Sequence, residues 1–173
     1  MGDWAALIIS IIIPNLGGFV IGLIVSKNIP WYNNLKQPSF RPPNWLFGVA
    51  WTILYTLMGV SSYLIYEDGG FSQNAVPLGI YAGNVVLNWL WSIIFFGCHL
   101  IMLGFFELVL VLASAIVTAV FFYPVNQIAC FLLIPYMAWC TFAGLLNFAI
   151  WSLNGPGPSF QRKKKTEEMK EMK

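Results

Sequence analysis

The chain has 173 residues, of which 58% are hydrophobic and only 9% are charged, and its formal net charge is +2. A soluble domain of this length could not cover its surface with so few charged groups, so the composition excludes a soluble enzyme or a soluble nucleic-acid-binding protein. We predict an all-α, polytopic membrane protein built as a bundle of spanning helices.

Five apolar segments are each long enough, at about 20 residues, to cross the hydrocarbon core as a helix. They cover residues 4–26, 45–66, 76–98, 101–123 and 127–153. With five spans, all nine Lys and Arg residues fall on one side of the membrane, in the first loop and the C-terminal tail. The positive-inside rule therefore supports five spans and predicts that residues 155–173 form a basic cytosolic tail.

The first span carries Gly18 and Gly22, one helical turn apart. This pair suits close helix packing, and it would also leave room for a ligand. Residues 27–43 are predicted to form the longest loop, with several prolines, large aromatic side chains and three basic residues. Such a loop is expected to be ordered, either as a lid over a ligand site or as an anchor to anionic head groups.

The second span is predicted to begin near Asn44, which is a good N-cap after a proline-rich segment. Trp45 fits the interfacial belt of aromatic residues in membrane proteins. Trp51 and Tyr55 recur on one helical face at a depth that such a belt seldom reaches. We interpret these two side chains as candidates for the wall of a pocket.

Polar side chains within the third and fourth spans are the next candidates. Asn84, Asn88 and Trp91 follow one another at helical spacing in the third span. An uncharged amide in hydrocarbon needs a partner, and for Asn88 an interhelical hydrogen bond and a ligand contact both fit the pattern. Glu107 is the only carboxylate within a predicted span, near enough to the boundary to reach head groups or water.

The fifth span places Trp139, Ala143 and Leu146 along one stripe. A large ring followed one turn later by a small residue forms a notch that suits a flat group, although ordinary core packing explains the same pattern.

Signatures of metal, nucleotide and acid–base chemistry are missing from the sequence. There is a single histidine, and no Cys/His cluster, phosphate-binding glycine loop or pair of carboxylates. We therefore predict no metal and no cofactor. Cys98, Cys130 and Cys140 are odd in number and are interpreted as small core residues without a disulfide framework. The remaining pattern favours binding of an apolar, aromatic or polycyclic molecule.

Three stretches carry a more specific pattern: PSFRPPNWLFGVAWTILYTLMGVSSYLIY, VPLGIYAGNVVLNWLWSIIFFG and LLIPYMAWCTFAGLLNFAIWSLN. They closely resemble the translocator protein family, also called the tryptophan-rich sensory proteins or peripheral benzodiazepine receptors (TspO/MBR), over residues 10–154. The resemblance implies a five-helix bundle, usually a homodimer, in the outer mitochondrial membrane of animal cells or the outer membrane of some bacteria. It also implies binding of porphyrins, cholesterol and benzodiazepine-site drugs.

The resemblance further implies which residues line the pocket. They are Gly22, Val25, Phe47, Ala50, Trp51, Asn88, Trp91, Leu110, Trp139, Ala143 and Leu146. Trp51 and Trp139 match the tryptophans that are tied to light-dependent porphyrin degradation in bacterial relatives. They are the only catalytic candidates that the resemblance implies.

The sequence departs from the family pattern at several positions. Phe148 and Ser152 stand where many animal relatives have the tyrosine and the cation of a cholesterol-recognition pattern. Leu103 replaces a tryptophan of the vertebrate drug pocket, and Phe40 replaces the usual loop tryptophan. Porphyrin binding is therefore better supported than sterol binding, and drug affinity is expected to differ from that of vertebrate relatives.

The primary interpretation is a membrane receptor or translocator that holds a ring system between Trp51 and Trp139, with a role in lipid or porphyrin transport. One alternative is an enzyme that degrades porphyrin under light with the same tryptophans. Another is a membrane scaffold that recruits partners through its basic tail. Transport itself has no visible signature, because the sequence lacks paired internal repeats.

Overall fold

The computed structural model describes residues 3–158, and within them the chain forms helices and no β-strand. The elements in chain order are α1 (Trp4–Asn33), α2 (Asn44–Glu67), α3 (Gly70–Ser92), a π-helical turn (Ile93–Gly97), α4 (Ile101–Phe122), α5 (Gln127–Leu132) and α6 (Ile134–Asn154). Counting α3 with the π-turn and α5 with α6, five helical segments are long and apolar enough to span a membrane. The predicted all-α bundle of five spans is confirmed, whereas the tail beyond residue 158 lies outside the described residues.

Helix α1 continues beyond the predicted first span and ends at Asn33. The prediction that residues 27–43 form a loop is therefore wrong at its start, and the connection covers residues 34–43. Apolar composition marks the edge of the hydrocarbon, but a helix satisfies its own backbone hydrogen bonds and need not stop there. Packing holds the last turn, since the ring of Tyr32 contacts Phe95 edge to face at 6.1 Å between centroids.

Helix α2 begins at Asn44, as predicted, but the interpretation of Asn44 as its N-cap is wrong. The cap position is Pro43, which makes no side-chain cap hydrogen bond. The side chain of Asn44 instead donates from Nδ2 to Oδ1 of Asn33 at 3.2 Å. Oδ1 of Asn44 accepts a hydrogen bond from the Arg41 guanidinium. This polar cluster joins the end of α1 to the start of α2.

Helix α3 begins at Gly70, before the start of the predicted span 76–98. Gly69 and Gly70 have φ values of 147° and 70°, which glycine adopts without a steric penalty, so α2 and α3 are joined tightly. Pro77 lacks a backbone N–H, and the helix kinks nearby at Asn74, where φ is −112°. The side chain of Asn74 ties this turn to α2 by donating to a backbone carbonyl at 2.8 Å.

The fifth span is divided into α5 and α6 at Leu133. Oδ1 of Asn126 caps α5 by accepting a hydrogen bond from the Ala129 amide at 2.9 Å. Pro135 lies in the first turn of α6, where a missing N–H costs no helical hydrogen bond.

The helices form a ring in which α1 packs against α2, α2 against α5 and α6, α6 against α4, and α4 against α3. The π-turn completes the ring by packing against α1. Helix α1 is the most peripheral member, since Pro14 and Tyr32 are its only buried residues. Its other side chains mainly face the surroundings, and many are large and apolar.

The connections collect at the two ends of the bundle as five spans require. At one end, the Asn154 side chain donates to the backbone oxygen of Lys36 and accepts from its nitrogen, both at 2.8 Å. At the other end, Nδ2 of Asn126 donates to Oδ2 of Asp68 at 2.6 Å. The connection 34–43 and the end of α6 therefore lie on the same side of the bundle.

His99 lies at the first of these ends, in the turn before α4. Its imidazole stacks on the indole of Trp31, with 4.0 Å between centroids and 15° between the ring planes. Its Nε2 lies 2.9 Å from Oδ1 of Asn28, so the two contacts tie the turn to α1.

Acidification is expected to weaken the attachment of the His99 turn to α1. Burial lowers the pKa of the His99 imidazole below its ordinary value of 6.5, so protonation favours the unfolded chain. The stability that follows from this shift is present above about pH 6.5 and is lost as the pH falls through the lower pKa of the folded state. NMR titration of this single histidine should give a midpoint below 6.5, with His99→Gln as the control for a pH-dependent melting temperature. A midpoint above 6.5 would show that attraction of the cation to Trp31 outweighs burial.

Candidate functional site

A cavity of about 640 Å³ lies between α1, α2 and the C-terminal part of α3 with its π-turn. Most of its wall is apolar or aromatic, with a few hydroxyl and amide groups. The wall consists of Asn15, Gly18, Phe19, Ile21, Gly22, Leu23, Val25, Ser26, Ile29, Tyr32, Asn44, Trp45, Phe47, Gly48, Trp51, Thr52, Tyr55, Trp91, Ser92 and Phe96. Pockets for drug-sized ligands have volumes of about 300–1,000 Å³ and similarly apolar walls. The cavity is thus suited to one compact apolar ligand.

Helical periodicity explains why these residues share one cavity. On α2, Asn44, Gly48, Trp51 and Tyr55 follow at intervals of three and four residues, which places them on one face. The residues that α1 contributes repeat at the same intervals along most of its second half. The two faces are opposed because α1 and α2 are antiparallel neighbours.

Trp51 is the centre of the aromatic wall. Its ring centroid lies 5.5 Å from that of Tyr55, with the planes 29° apart, and 6.4 Å from that of Trp91. The rings of Tyr136 and Trp139 contact it edge to face, also at 6.4 Å. Aromatic pairs at these distances stabilise one another, so the position of the Trp51 ring is defined from several sides.

Tyr55 holds the deep end of the cavity in place. Its hydroxyl donates a hydrogen bond to Oδ1 of Asn88 at 2.5 Å, and both residues are buried. The amide nitrogen of Asn88 is buried and has no hydrogen-bond partner among the described residues. Asn88 therefore links α3 to α2 through Tyr55.

Replacing Tyr55 by phenylalanine is expected to destabilise the protein by about 1 kcal/mol, because it leaves the Asn88 carbonyl buried without its donor. Thermal unfolding in detergent should show a melting temperature a few degrees lower than that of the wild type. Tyr66→Phe is the matched control, since Tyr66 is exposed on the same helix. Equal melting temperatures for Tyr55→Phe and the wild type would show that the hydrogen bond contributes no net stability.

The structure brings five of the predicted pocket residues to the wall of this cavity. They are Gly22 and Val25 of α1, Phe47 and Trp51 of α2, and Trp91 of α3. They come from three helices that are separated in the sequence, which supports the choice of this cavity as the candidate site.

Two predicted residues, Ala50 and Trp139, lie elsewhere. They line a shallow apolar groove between α2 and α6, together with Pro135 and Phe142 among others. Trp51 packs between this groove and the cavity, so Trp139 contacts the aromatic wall from behind. The predicted arrangement of a ring held directly between Trp51 and Trp139 is not the one seen here, because the two indoles already contact each other.

The four remaining predicted residues, Asn88, Ala143, Leu146 and Leu110, do not line the cavity either. Ala143 and Leu146 are buried beside a narrow cleft that also involves Phe47 and Trp91. Leu110 is 55% exposed on α4, whose buried stripe instead includes Leu108 and Val111. Apart from Glu107, Ser114 and Thr118, helix α4 is apolar, and its apolar residues do not by themselves reveal which of them face inward.

Several wall residues were not predicted as pocket residues, among them Tyr32, Gly48, Thr52 and Phe96. Gly48 and Thr52 could have been found by extending the α2 face that contains Tyr55. Tyr32 could not, because the sequence places it in a loop.

The other buried amides connect helices. Nδ2 of Asn84 donates to the Val111 carbonyl at 2.9 Å and to Oγ of Ser114 at 2.7 Å, joining α3 to α4. Nδ2 of Asn147 donates to the Ile101 carbonyl at 2.8 Å, joining α6 to α4. The expectation that amides within the spans find interhelical partners is confirmed for these residues.

The remaining candidates for chemistry are dispersed. Glu107 is half-buried and does not line the cavity. The cysteines are free, and Cys140 is buried whereas Cys98 is exposed, so the interpretation of all three as core residues is wrong for Cys98. Among residues 3–158, no three His, Cys, Asp or Glu side chains come together as metal ligands. The site therefore offers aromatic surface and shape for binding.

Comparison with known proteins identifies the family. The profile of the TspO/MBR family matches residues 10–152. Translocator protein from Sus scrofa is 43% identical over 146 residues, which cover 83% of this chain and 86% of that protein. Translocator protein from Homo sapiens is 42% identical, with 82% and 85% covered, and Tryptophan-rich protein TspO from Archaeoglobus fulgidus is 38% identical, with 79% and 89% covered. This integral membrane protein therefore belongs to the TspO/MBR family.

Proposed function

We propose that this protein is a membrane receptor or translocator that binds porphyrins, sterols such as cholesterol and benzodiazepine-site ligands, with a role in lipid or porphyrin transport. The cavity of about 640 Å³ between α1, α2 and α3 carries this proposal. It is large enough for one polycyclic ligand, and much of its wall is aromatic. The relatives from Sus scrofa and Homo sapiens are named Translocator protein, which supports the translocator class.

In this proposal a flat ring system lies against Trp51 and Tyr55, with Tyr32 and Phe96 on other parts of the wall. Asn88 acts indirectly, by holding the Tyr55 hydroxyl. Aromatic faces recognise any flat π-system, so this wall supports binding of several ligand classes with one shape in common.

Titration of the purified, detergent-solubilised protein with protoporphyrin in darkness tests the proposal. Binding in the cavity should give saturable quenching of tryptophan fluorescence, and a cholesterol analogue or a benzodiazepine-site ligand should compete. Quenching that rises linearly, as it does for free tryptophan, would contradict porphyrin binding. Sterol binding without any porphyrin competition would instead support a role in lipid handling.

A second candidate function is light-dependent degradation of porphyrin. It is supported by the cluster of oxidisable rings around Trp51, which includes Tyr55, Tyr136 and Trp139. Illumination of the bound porphyrin should then change its absorption spectrum with time, and Trp51→Phe should slow the change. A spectrum that is stable under light would leave binding as the function.

For the cellular setting, we propose a homodimer in the outer mitochondrial membrane with the C-terminus in the cytosol. The positive-inside rule supports this orientation, since Lys27, Lys36 and Arg41 belong to the same end of the bundle as the end of α6. Protease treatment of intact mitochondria should then remove a C-terminal tag. Recruitment of partners through the basic tail remains a prediction, because residues 159–173 lie outside the described residues.

A further inference from the structure

We propose that ligands enter and leave this cavity sideways, from the bilayer, through an opening between α1 and α2 that is framed by Gly22 and Gly48. This inference rests on the proposed function and adds the route by which the same site is filled. It follows from where the two helices touch, where they leave space, and how the loop end of the cavity is closed.

Helices α1 and α2 touch closely on the side of the cavity that lies toward the N-terminus of α1. A Cβ atom at Gly59 would lie 2.6 Å from the Ile11 Cα, and one at Gly18 would lie 2.3 Å from the Tyr55 ring. Continuing this antiparallel register by one turn brings Gly22 to the level of Trp51, and Gly48 lies about one further turn along. The two glycines therefore lie at neighbouring levels of the same helix pair.

At these levels the two helices leave open space. A Cβ atom at Gly22 or Gly48 would have no neighbouring atom within 4 Å. Both glycines line the cavity and both are exposed. Phe19 and Leu23, which also line the cavity, are 67% and 52% exposed. The cavity thus continues to the outer surface of the spans, where lipid would surround the protein.

The loop end of the cavity is closed by several polar contacts. The Arg41 guanidinium lies 4.8 Å from the centroid of the Tyr32 ring, which lines the cavity. Arg41 also donates to Asn44 and, at 3.0 Å, to Asn33. The two hydrogen bonds between Asn154 and the Lys36 backbone hold the connection 34–43 against α6.

The peripheral position of α1 fits a lateral route, since only Pro14 and Tyr32 of this helix are buried and its remaining surface faces the surroundings or the cavity. The ligand chemistry fits as well. An apolar polycyclic molecule concentrates in the hydrocarbon of a bilayer, from which it would reach the opening without crossing water. Glycine at both positions keeps the opening wide, and leucine would narrow it.

Stopped-flow fluorescence tests the route. The full chain is reconstituted in phosphatidylcholine vesicles, protoporphyrin is added, and quenching is followed, with partitioning into protein-free vesicles measured separately. Gly22→Leu and Gly48→Leu, on different helices, should each lower the association and dissociation rate constants about tenfold, with a smaller change in affinity. Gly144→Leu is the matched control, because a Cβ atom at Gly144 also has open space, on α6.

The variant Asn154→Ala distinguishes lateral entry from entry at the loop end, because it removes the hydrogen bonds that hold the connection 34–43 against α6. Unchanged rates for this variant are expected from lateral entry, whereas faster association and dissociation would overturn it. Wild-type rates in both leucine variants would overturn it as well. Absence of saturable quenching in the wild-type protein would refute the proposed function itself. Failure of the proposed function can therefore be distinguished from failure of the lateral route.

Discussion

Changing Trp51 to alanine is expected to weaken protoporphyrin binding about tenfold or more, whereas changing Trp139 to alanine should have a clearly smaller effect. Trp51 lines the cavity, and its indole face is available to a flat ligand. Stacking of a ring on an aromatic side chain contributes about 1–3 kcal/mol, and about 1.4 kcal/mol corresponds to a factor of ten. Trp139 lies in the neighbouring groove and contacts the wall residues Trp51 and Phe47, so we expect it to affect a ligand in the cavity indirectly.

The measurement is a protoporphyrin titration of each variant, read from the fluorescence of the remaining tryptophans or from the porphyrin absorption. Trp51→Phe and Trp139→Phe are the controls, since they keep an aromatic ring and limit the loss of packing. Circular dichroism and a melting curve verify that each variant is folded. If Trp139→Ala lost as much affinity as Trp51→Ala, the ligand would lie between α2 and α6, closer to the arrangement expected from the family resemblance.

Changing Gly59 to valine is expected to destabilise the bundle by about 1–3 kcal/mol through overpacking. A Cβ atom at Gly59 would lie 2.6 Å from both the Ile11 Cα and the Ser10 carbonyl oxygen. These are backbone atoms and cannot rotate away, so α1 and α2 would have to separate. For a chain of this size the melting temperature should fall by about 2–12 °C.

Gly144→Val is the matched control, because the change in helix propensity is the same there but a Cβ atom at Gly144 would meet no atom within 4 Å. The difference between the two melting temperatures in detergent therefore isolates the contact between helices. Equal shifts for the two variants would mean that α1 moves away from α2 at little cost, and that the close approach contributes no stability.

The number and type of the spans could be predicted because apolar length is a local property. The helix ends were less predictable: α1 reaches Asn33 and α3 starts at Gly70, both outside the apolar core segments. The helix ends depend on neighbours, such as the ring of Phe95 against Tyr32, that are distant in the sequence.

The cavity could be predicted only in part. The face of α2 that carries Trp51 and Tyr55 was visible from periodicity, since the two residues lie one turn apart. For Asn88 the sequence pattern does not distinguish a helix contact from a ligand contact, whereas the structure shows a hydrogen bond from Tyr55 and no place for Asn88 in the cavity wall.

By itself the sequence determined a five-span helical membrane protein and the aromatic stripe of its second span, because composition and periodicity act within single helices. The tertiary structure alone decided which helices share the cavity, that Trp139 lies behind Trp51, and that Gly22 and Gly48 leave an opening. The physical reason is that a membrane helix such as α1 is apolar on nearly every side, so only packing against its neighbours determines which face points inward.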